Sequence, residues 1–295
     1  MKNLMLSFTV IIAFGLNTLA QEIAPYIKIG ETNEGIQKTS EDVIEVLEKN
    51  SFKVLGSYSP AGNSNLKVIA FTRNDIKNTV IKVKDRGALA AIYKVGLVSD
   101  NGKVIMSYTN PNYILRAYLQ DDFDKYKTEL QSFGDDIKTA FSVMGNSFIP
   151  FGGTVDADDL KKYHYKIMMP YFTDPVELKE FNSFEEGVQI IKNNLNTNKG
   201  NTKLVYQLIY TSEKVAVFGV GLQSKEDGEP YFLPKIGEAH AAALPYEIIL
   251  QDKNATILHG KYRIALHWPD LTMGTFMKIM STPGDIEDTF EKLCQ

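Results

Sequence analysis

The amino-acid sequence predicts an α+β protein of two tandem, similar domains. Each is expected to be a mostly antiparallel sheet with helices packed on one face, and the two to be related by a pseudo-two-fold axis. Three observations predict this. The first is a weak internal repeat, in which residues 26–141 recur as residues 165–290. Lys28-Ile29 corresponds to Lys166-Ile167, and Thr39-Ser40-Glu41-Asp42 to Ser183-Phe184-Glu185-Glu186. Lys67-Val68 with Phe71 corresponds to Lys214-Val215 with Phe218, and Asp136-Ile137 with Phe141 to Asp285-Ile286 with Phe290. The separations drift from 138 (166 − 28) through 144 (183 − 39) and 147 (214 − 67) to 149 (285 − 136), as loop insertions in a duplicated domain would produce. They far exceed the roughly 20–50 residues of a solenoid unit. The second observation is Asp100-Asn101-Gly102 between two β-rich runs, the strongest short hairpin signal. The third is a helical apolar face after each polar cap: Val43, Val46 and Leu47 after Thr39, and Val188, Ile191 and Leu195 after Ser183.

The elements follow in order. Residues 1–20 read as a secretion signal, with Lys2, an apolar run from Leu4 to Leu16 and small residues at Thr18-Leu19-Ala20. Such a run is shorter than the about 20 residues that span a bilayer. Export to the periplasm or exterior is expected, with no integral membrane segment after cleavage. The two domains are then assigned to residues 21–150 and 151–295. In the first, residues 24–29 form a strand and Thr39 with Asp42 caps a helix. Residues 52–58 and 66–71 are strands about the turn Pro60-Ala61-Gly62-Asn63. Residues 74–91 are ambiguous. Residues 92–98 and 103–108 form the hairpin, and Pro111 opens helical patterning through Tyr126, with a further helix over 135–144. Phe148-Ile149-Pro150-Phe151-Gly152-Gly153 reads as the joint. In the second domain, residues 163–169 are predicted as a strand, Ser183 and Glu186 as a capping box, and 204–210 and 215–222 as strands. A loop carries Gly228, Pro230 and Pro234, and a second hairpin pairs 246–258 with 261–268 about His259-Gly260. Asp252-Lys253-Asn254 reads as a bulge in it.

The early capped helix of Ser183-Phe184-Glu185-Glu186-Gly187-Val188 and the stretch from Lys94 through Asp100-Asn101-Gly102 to Asn110-Pro111 resemble the domain-of-unknown-function family numbered 302. The resemblance covers most of the first repeat and, more loosely, the second, where Trp268-Pro269 departs from the usual Asn-Pro or Asp-Pro step. It implies an α+β fold and supplies no catalytic residues.

A net charge of −4 is the wrong sign for a nucleic-acid surface, so no nucleic-acid partner is expected. The single cysteine, Cys294, rules out an intrachain disulfide, and near a fraying terminus it reads as incidental. No nucleophile elbow, His-Glu-x-x-His, Walker loop or cysteine pair occurs. Gly219-Val220-Gly221 lacks the following helix that a dinucleotide site needs, and Asp156-Ala157-Asp158-Asp159 lacks the calcium-loop glycine and glutamate. No cofactor, metal site or catalytic residue is therefore assigned. Three of four histidines, His240, His259 and His267, lie in the second repeat. With 261–268 as a strand, alternation would put Lys261, Arg263 and His267 on one polar face suited to an anion. The candidate ligand-binding residues are His240, Tyr246, Glu247, Arg263 and His267. The same residues also fit ordinary structural roles. The expected function is a non-catalytic module that binds a small molecule or a protein in a groove between the repeats. The alternatives are an enzyme using the histidines of the second repeat, and a structural subunit pairing through a sheet edge.

Overall fold

The computed structural model describes residues 21–295. The expected export signal lies outside the described residues. Among the described residues no helix is long and apolar enough to cross a membrane. The fold is α+β, with antiparallel sheets and helices against them.

A short pair, β1 (Glu22–Ile23) with β8 (Val155–Asp156), ties the start of the described chain to its middle. The first large sheet contains β2 (Tyr26–Thr32), β3 (Lys53–Tyr58), β4 (Leu66–Thr72), β5 (Tyr93–Asp100), β6 (Lys103–Thr109) and β7 (Ile149–Phe151), in the order β3-β4-β5-β6-β2-β7. Its helices are α1 (Ile36–Lys49), α2 (Asn74–Val80), α3 (Pro111–Leu119) and α4 (Phe123–Phe141). The second sheet contains β9 (Val176–Glu180), β10 (Thr202–Tyr210), β11 (Val215–Leu222), β12 (Tyr246–Gln251) and β13 (Asn254–Ile257), in the order β10-β11-β12-β13-β9. It is accompanied by α5 (Phe184–Asn196), α6 (Glu229–Ile236), α7 (Gly260–His267), α8 (Met273–Phe276) and α9 (Thr282–Leu293).

Five strands of each sheet therefore follow one order, and the irregularities match rung for rung. The β3–β4 ladder slips between Val54 and Gly56, and the β10–β11 ladder between Leu204 and Tyr206. The β2–β6 ladder slips between Lys28 and Gly30, and the β9–β13 ladder between Glu177 and Lys179. Matching these slips pairs Ala70 with Gly219, Ser107 with Thr256 and Asn110 with His259, each 149 apart (219 − 70, 256 − 107, 259 − 110). Tyr93-Lys94 and Tyr246-Glu247 then open the two corresponding strands, since Tyr93 pairs with Phe71 and Tyr246 with Val220.

Alternation along β5 divides its neighbours. Tyr93 turns toward the helices, 4.6 Å from the Phe133 ring of α4, whereas Lys94 and Gly96 turn toward the second half of the chain. There the small-residue segment Glu238–Ala243 packs on β4, β5 and β6, while Gly87–Ala91 packs on β11. Close approach needs the small residues: a Cβ on Gly96 would lie 2.9 Å from the Ala242 amide nitrogen. At the β3–β10 contact a Cβ on Gly56 would lie 2.0 Å from the Val205 carbonyl oxygen.

Several expected elements differ. The run 163–169 is not a strand. It packs on α7, the Tyr163 hydroxyl donating to the Ala265 carbonyl at 3.0 Å. The strand in that place is β9, whose charged Glu177, Lys179 and Glu180 suit an edge and hide its signal. The second hairpin turns at Asp252-Lys253, with Asp252 at φ 50, and not at His259-Gly260. Residues 260–267 are helical. His259 caps them by accepting from the Lys261 amide at 3.2 Å, as Asn110 accepts from Asn112 at the start of α3. Tyr262 through His267 are all buried, so their alternation carried no facing information. Helix α1 begins about one turn early, at Ile36 with Gly35 as its cap, and the Thr39 hydroxyl donates back to the Gly35 carbonyl. The α3–α4 break falls at Gln120, with Gly134 inside one continuous helix. The joint at Ile149–Phe151 is the strand β7, paired with β2, and the proline-containing loop is α6. The C-terminus is packed: Asn194 donates to the Leu293 and Gln295 carbonyls, and burial pushes the Cys294 thiol up to about 12.

The Gly56 contact yields a test. Gly56→Ala forces a Cβ into the Val205 backbone and is expected to cost about 3 kcal/mol. Gly284→Ala, in the first turn of α9 with open space around it, should be neutral or stabilising by up to about 1 kcal/mol. Urea unfolding of both variants measures the difference.

Candidate functional site

Of the five predicted site residues, His240, Glu247, Arg263 and His267 lie where the two halves meet, Tyr246 packs beside them under Arg263, and all but Glu247 and His240 are at most 3% exposed. Glu247 is the first residue of β12 to face the other half, as Lys94 is of β5, and the two form an ion pair. The Tyr206 hydroxyl donates to the same carboxylate oxygen at 3.0 Å. The other oxygen accepts from Arg263 of α7 at 3.2 Å. Arg263 also donates to the Ala243 and Pro245 carbonyls at 2.6 and 2.8 Å, and its guanidinium lies 3.7 Å from the Tyr246 ring centre. Burial by itself would raise the Glu247 carboxyl, but Lys94 and Arg263 outweigh it and hold the group ionised. Two cations thus share one anion. Burial, with repulsion from Arg263, lowers the Lys94 ammonium.

The histidines adjoin this cluster. His267 ends α7 and is fully enclosed. Its Nε2 lies 3.0 Å from the Tyr118 hydroxyl and its Nδ1 3.3 Å from the Tyr26 hydroxyl, which also donates to the His267 carbonyl at 2.9 Å. Burial, then Arg263 and Lys94, push its pKa far down, so the ring is neutral. A neutral imidazole has one donor and one acceptor, and the two tyrosines use both. Counted from the caps, Tyr118 in α3 and His267 in α7 are corresponding positions (267 − 118 = 149). His240 donates from Nδ1 to the His267 carbonyl at 3.1 Å and stacks on Trp268 at 5.7 Å between ring centres. Its nearest acid, Asp270, is 3.9 Å away and half exposed. Burial lowers its pKa as well. His259 is elsewhere, capping α7. Among the described residues no group of three His, Cys, Asp or Glu side chains is arranged to hold a metal ion.

Sequence reasoning missed Lys94, Glu229, Tyr26, Tyr118 and Trp268. A lysine inside the apolar run Tyr93-Lys94-Val95-Gly96-Leu97-Val98 was a usable signal for burial with a partner. Glu229 gave none. It starts α6 and accepts from the Tyr58 hydroxyl at 2.8 Å, the Ala61 amide at 2.8 Å and the Leu222 amide at 3.2 Å, joining the two halves. Burial outweighs these donors and pushes its carboxyl up to about 7.

None of the five predicted residues lines the cavities found beside α7 and α3. The α7 cavity, about 260 Å³, is floored by the buried Ile264, Ala265 and Trp268 and walled by Met169, Leu271 and Phe276. Exposed Lys166, Ile167, Lys261 and Met273 rim it. The α3 cavity, about 500 Å³, is more polar and is bordered by Asn112, Leu115 and Arg116. These three correspond to Lys261, Ile264 and Ala265 (261 − 112, 264 − 115 and 265 − 116 are all 149). No protein-family model, curated protein or solved structure matches the chain.

Because Glu247 serves two cations, its loss and the loss of Lys94 should differ. Glu247→Gln leaves two buried positive charges facing each other and is expected to cost about 3–5 kcal/mol. Lys94→Met leaves the Glu247–Arg263 pair intact and should cost no more than about 1 kcal/mol. Equal costs in urea unfolding would contradict the shared-anion geometry.

Glu229 sets a pH dependence. Its native pKa lies above the ordinary value, so the native state holds the proton more tightly than the unfolded chain. The resulting stability is complete below about pH 4.5 and is lost as pH rises through about 7, by roughly 3 kcal/mol. Unfolding free energy between pH 5 and 8 should therefore fall more steeply for the native chain than for Glu229→Gln.

Proposed function

We propose that this is an exported, non-catalytic ligand-binding protein, built from two copies of one α+β unit related by an approximate dyad. The seam between the copies serves as rigid scaffold, and the ligand occupies the apolar cavity beside Trp268, at the seam's edge. We also propose kinship with the domain-of-unknown-function family numbered 302, resting on the stretch from Lys94 to Pro111 and the capped helix at Ser183.

The observation that carries the binding reading is the contrast between the two places. The candidate polar side chains at the seam are buried among their own partners, apart from the Tyr246 hydroxyl, which is buried without one, whereas the cavity floored by Trp268 is lined mostly by apolar groups and reaches solvent. Mostly apolar concavities with few polar groups are the usual form of small-molecule sites. An imidazole reaction would need a reachable ring with a partner that takes its proton, and His267 is wrapped by two tyrosine hydroxyls. Duplication is supported by the common strand order, the matching slips and two contacts between corresponding positions, Lys94 with Glu247 and Tyr118 with His267. The corresponding faces of α3 and α7 differ in the manner of copies that have divided labour: Arg116, stacked 4.5 Å over Phe123, puts a charge on the α3 cavity, and Ala265 keeps the floor of the α7 cavity apolar.

Trp268 is the chain's single tryptophan, so its emission reports on the cavity directly. Titration of the protein with 1-octanol should give a saturable change in that emission. Met273→Asp, at the exposed rim, should weaken it, and Ala265→Phe should abolish it without loss of the folded far-UV spectrum. No saturable change, or one indifferent to both variants, would sink the binding reading.

A further inference from the structure

We infer that the α7 cavity selects amphipathic anions, specifically medium-chain monocarboxylates whose tail lies against Trp268 and whose head group lies between Lys166 and Lys261. This rests on the binding reading above and names its ligand class.

Charge supports it. The lining includes two lysines and no Asp or Glu. Among the described ion pairs neither lysine takes part: Lys166 has only the Tyr165 ring, 5.1 Å away, beside it. Lys261 lies in the first turn of α7, which contains no acidic residue. A cation there adds to the positive end of the helix dipole, the less stable arrangement for an isolated helix. A position that costs helix stability is accounted for when an anion occupies the mouth. In the first half the corresponding residue is the uncharged Asn112, which accepts from Arg116 at 3.0 Å.

Size and shape support it too. A cavity of about 260 Å³ lies just below the roughly 300–1,000 Å³ of pockets for drug-sized ligands, the range for a single short chain. That matches an eight-carbon chain with its carboxylate at the rim and is too small for a two-chain lipid. The floor of Ile264, Ala265 and Trp268 offers no charge to the tail. The flexible Met169 and Met273 adapt to chains of slightly different length. Ala265 keeps this floor apolar, where Arg116 places a charge at the corresponding turn of α3.

The test compares sodium octanoate, 1-octanol and octylammonium chloride at equal ionic strength, followed by Trp268 emission and calorimetry. Octanoate should bind about tenfold more tightly than 1-octanol, the gain that two exposed ion pairs supply, and octylammonium more weakly than either. Lys166→Glu combined with Lys261→Glu should weaken octanoate far more than 1-octanol, removing the octanoate preference, and shift selectivity toward octylammonium. If 1-octanol and octanoate bind alike and the double variant changes nothing, the anion inference is overturned while the binding reading stands. If none of the three binds, both fall. If phosphatidylglycerol vesicles are bound and octanoate does not compete, the lysines serve a membrane surface and the inference is overturned in that direction.

Discussion

One carboxylate, Glu247, lies between a lysine of the first sheet and an arginine of α7, largely shielded from water. Its place follows from strand alternation. Tyr246 turns toward the helices, so Glu247 must turn toward the other half of the chain, where Lys94 does the same from the corresponding rung. A buried pair of this kind contributes little net stability compared with an apolar contact of the same shape, but breaking it is expensive. It therefore acts on register. Either strand slipping by one residue would leave a charge buried with no counterpart.

The rest of the seam is arranged around that constraint. Arg263 reaches Glu247 only because α7 follows β13 directly and presents residues four apart on one side, which also brings His267 to Tyr118 and Tyr26. The cluster holds two cations against one carboxylate, and burial, reinforced by repulsion from Arg263, pushes Lys94 and His267 toward their neutral forms. Glu229 is the counter-case, a carboxylate held by three donors yet displaced upward by burial. The small-residue segments Gly87–Ala91 and Glu238–Ala243 let backbones approach closely enough for these side chains to meet. Trp268 closes the network on one side and floors the α7 cavity on the other, so a rigid interior and an accessible cavity share one side chain.

Some of this was open to a reader of residue types. Asn101-Gly102 required a tight hairpin because its φ values, 50 and 79, are ones that Asn and Gly tolerate. Ser183 with Glu186 was a true helix start, the serine hydroxyl accepting from the Glu186 amide at 3.1 Å. The sequence spacing of Asp136 and Asp285 equals the 149-residue offset between the ladder slips of the two sheets (285 − 136). The spacing of Lys28 and Lys166 does not, because Glu177 takes the matching rung in Val176–Glu180, an exposed edge whose alternating charges look like loop. Arg263, His267, Glu247, Tyr246 and His240 were singled out as a polar face on a strand. They do come together, but on a helix and at a seam, since four-residue spacing on a helix and even spacing on a strand both bring 263 and 267 to one side.

Composition, caps, turns and periodicity determined the α+β class, the hairpin and most of the element order, because these depend on forces that act within a few residues. Tertiary structure alone decided which polar side chains are spent on the interior and which face a cavity. Burial of Glu247, Arg263 and His267 depends on neighbours more than a hundred residues away, such as Lys94 and Tyr118. The difference between Arg116 and Ala265, a charged turn and an apolar one, becomes a difference in cavity chemistry only because each helix borders a cavity in the folded chain. No local preference encodes a desolvation cost, since that cost is set by whatever the rest of the chain brings to the same point.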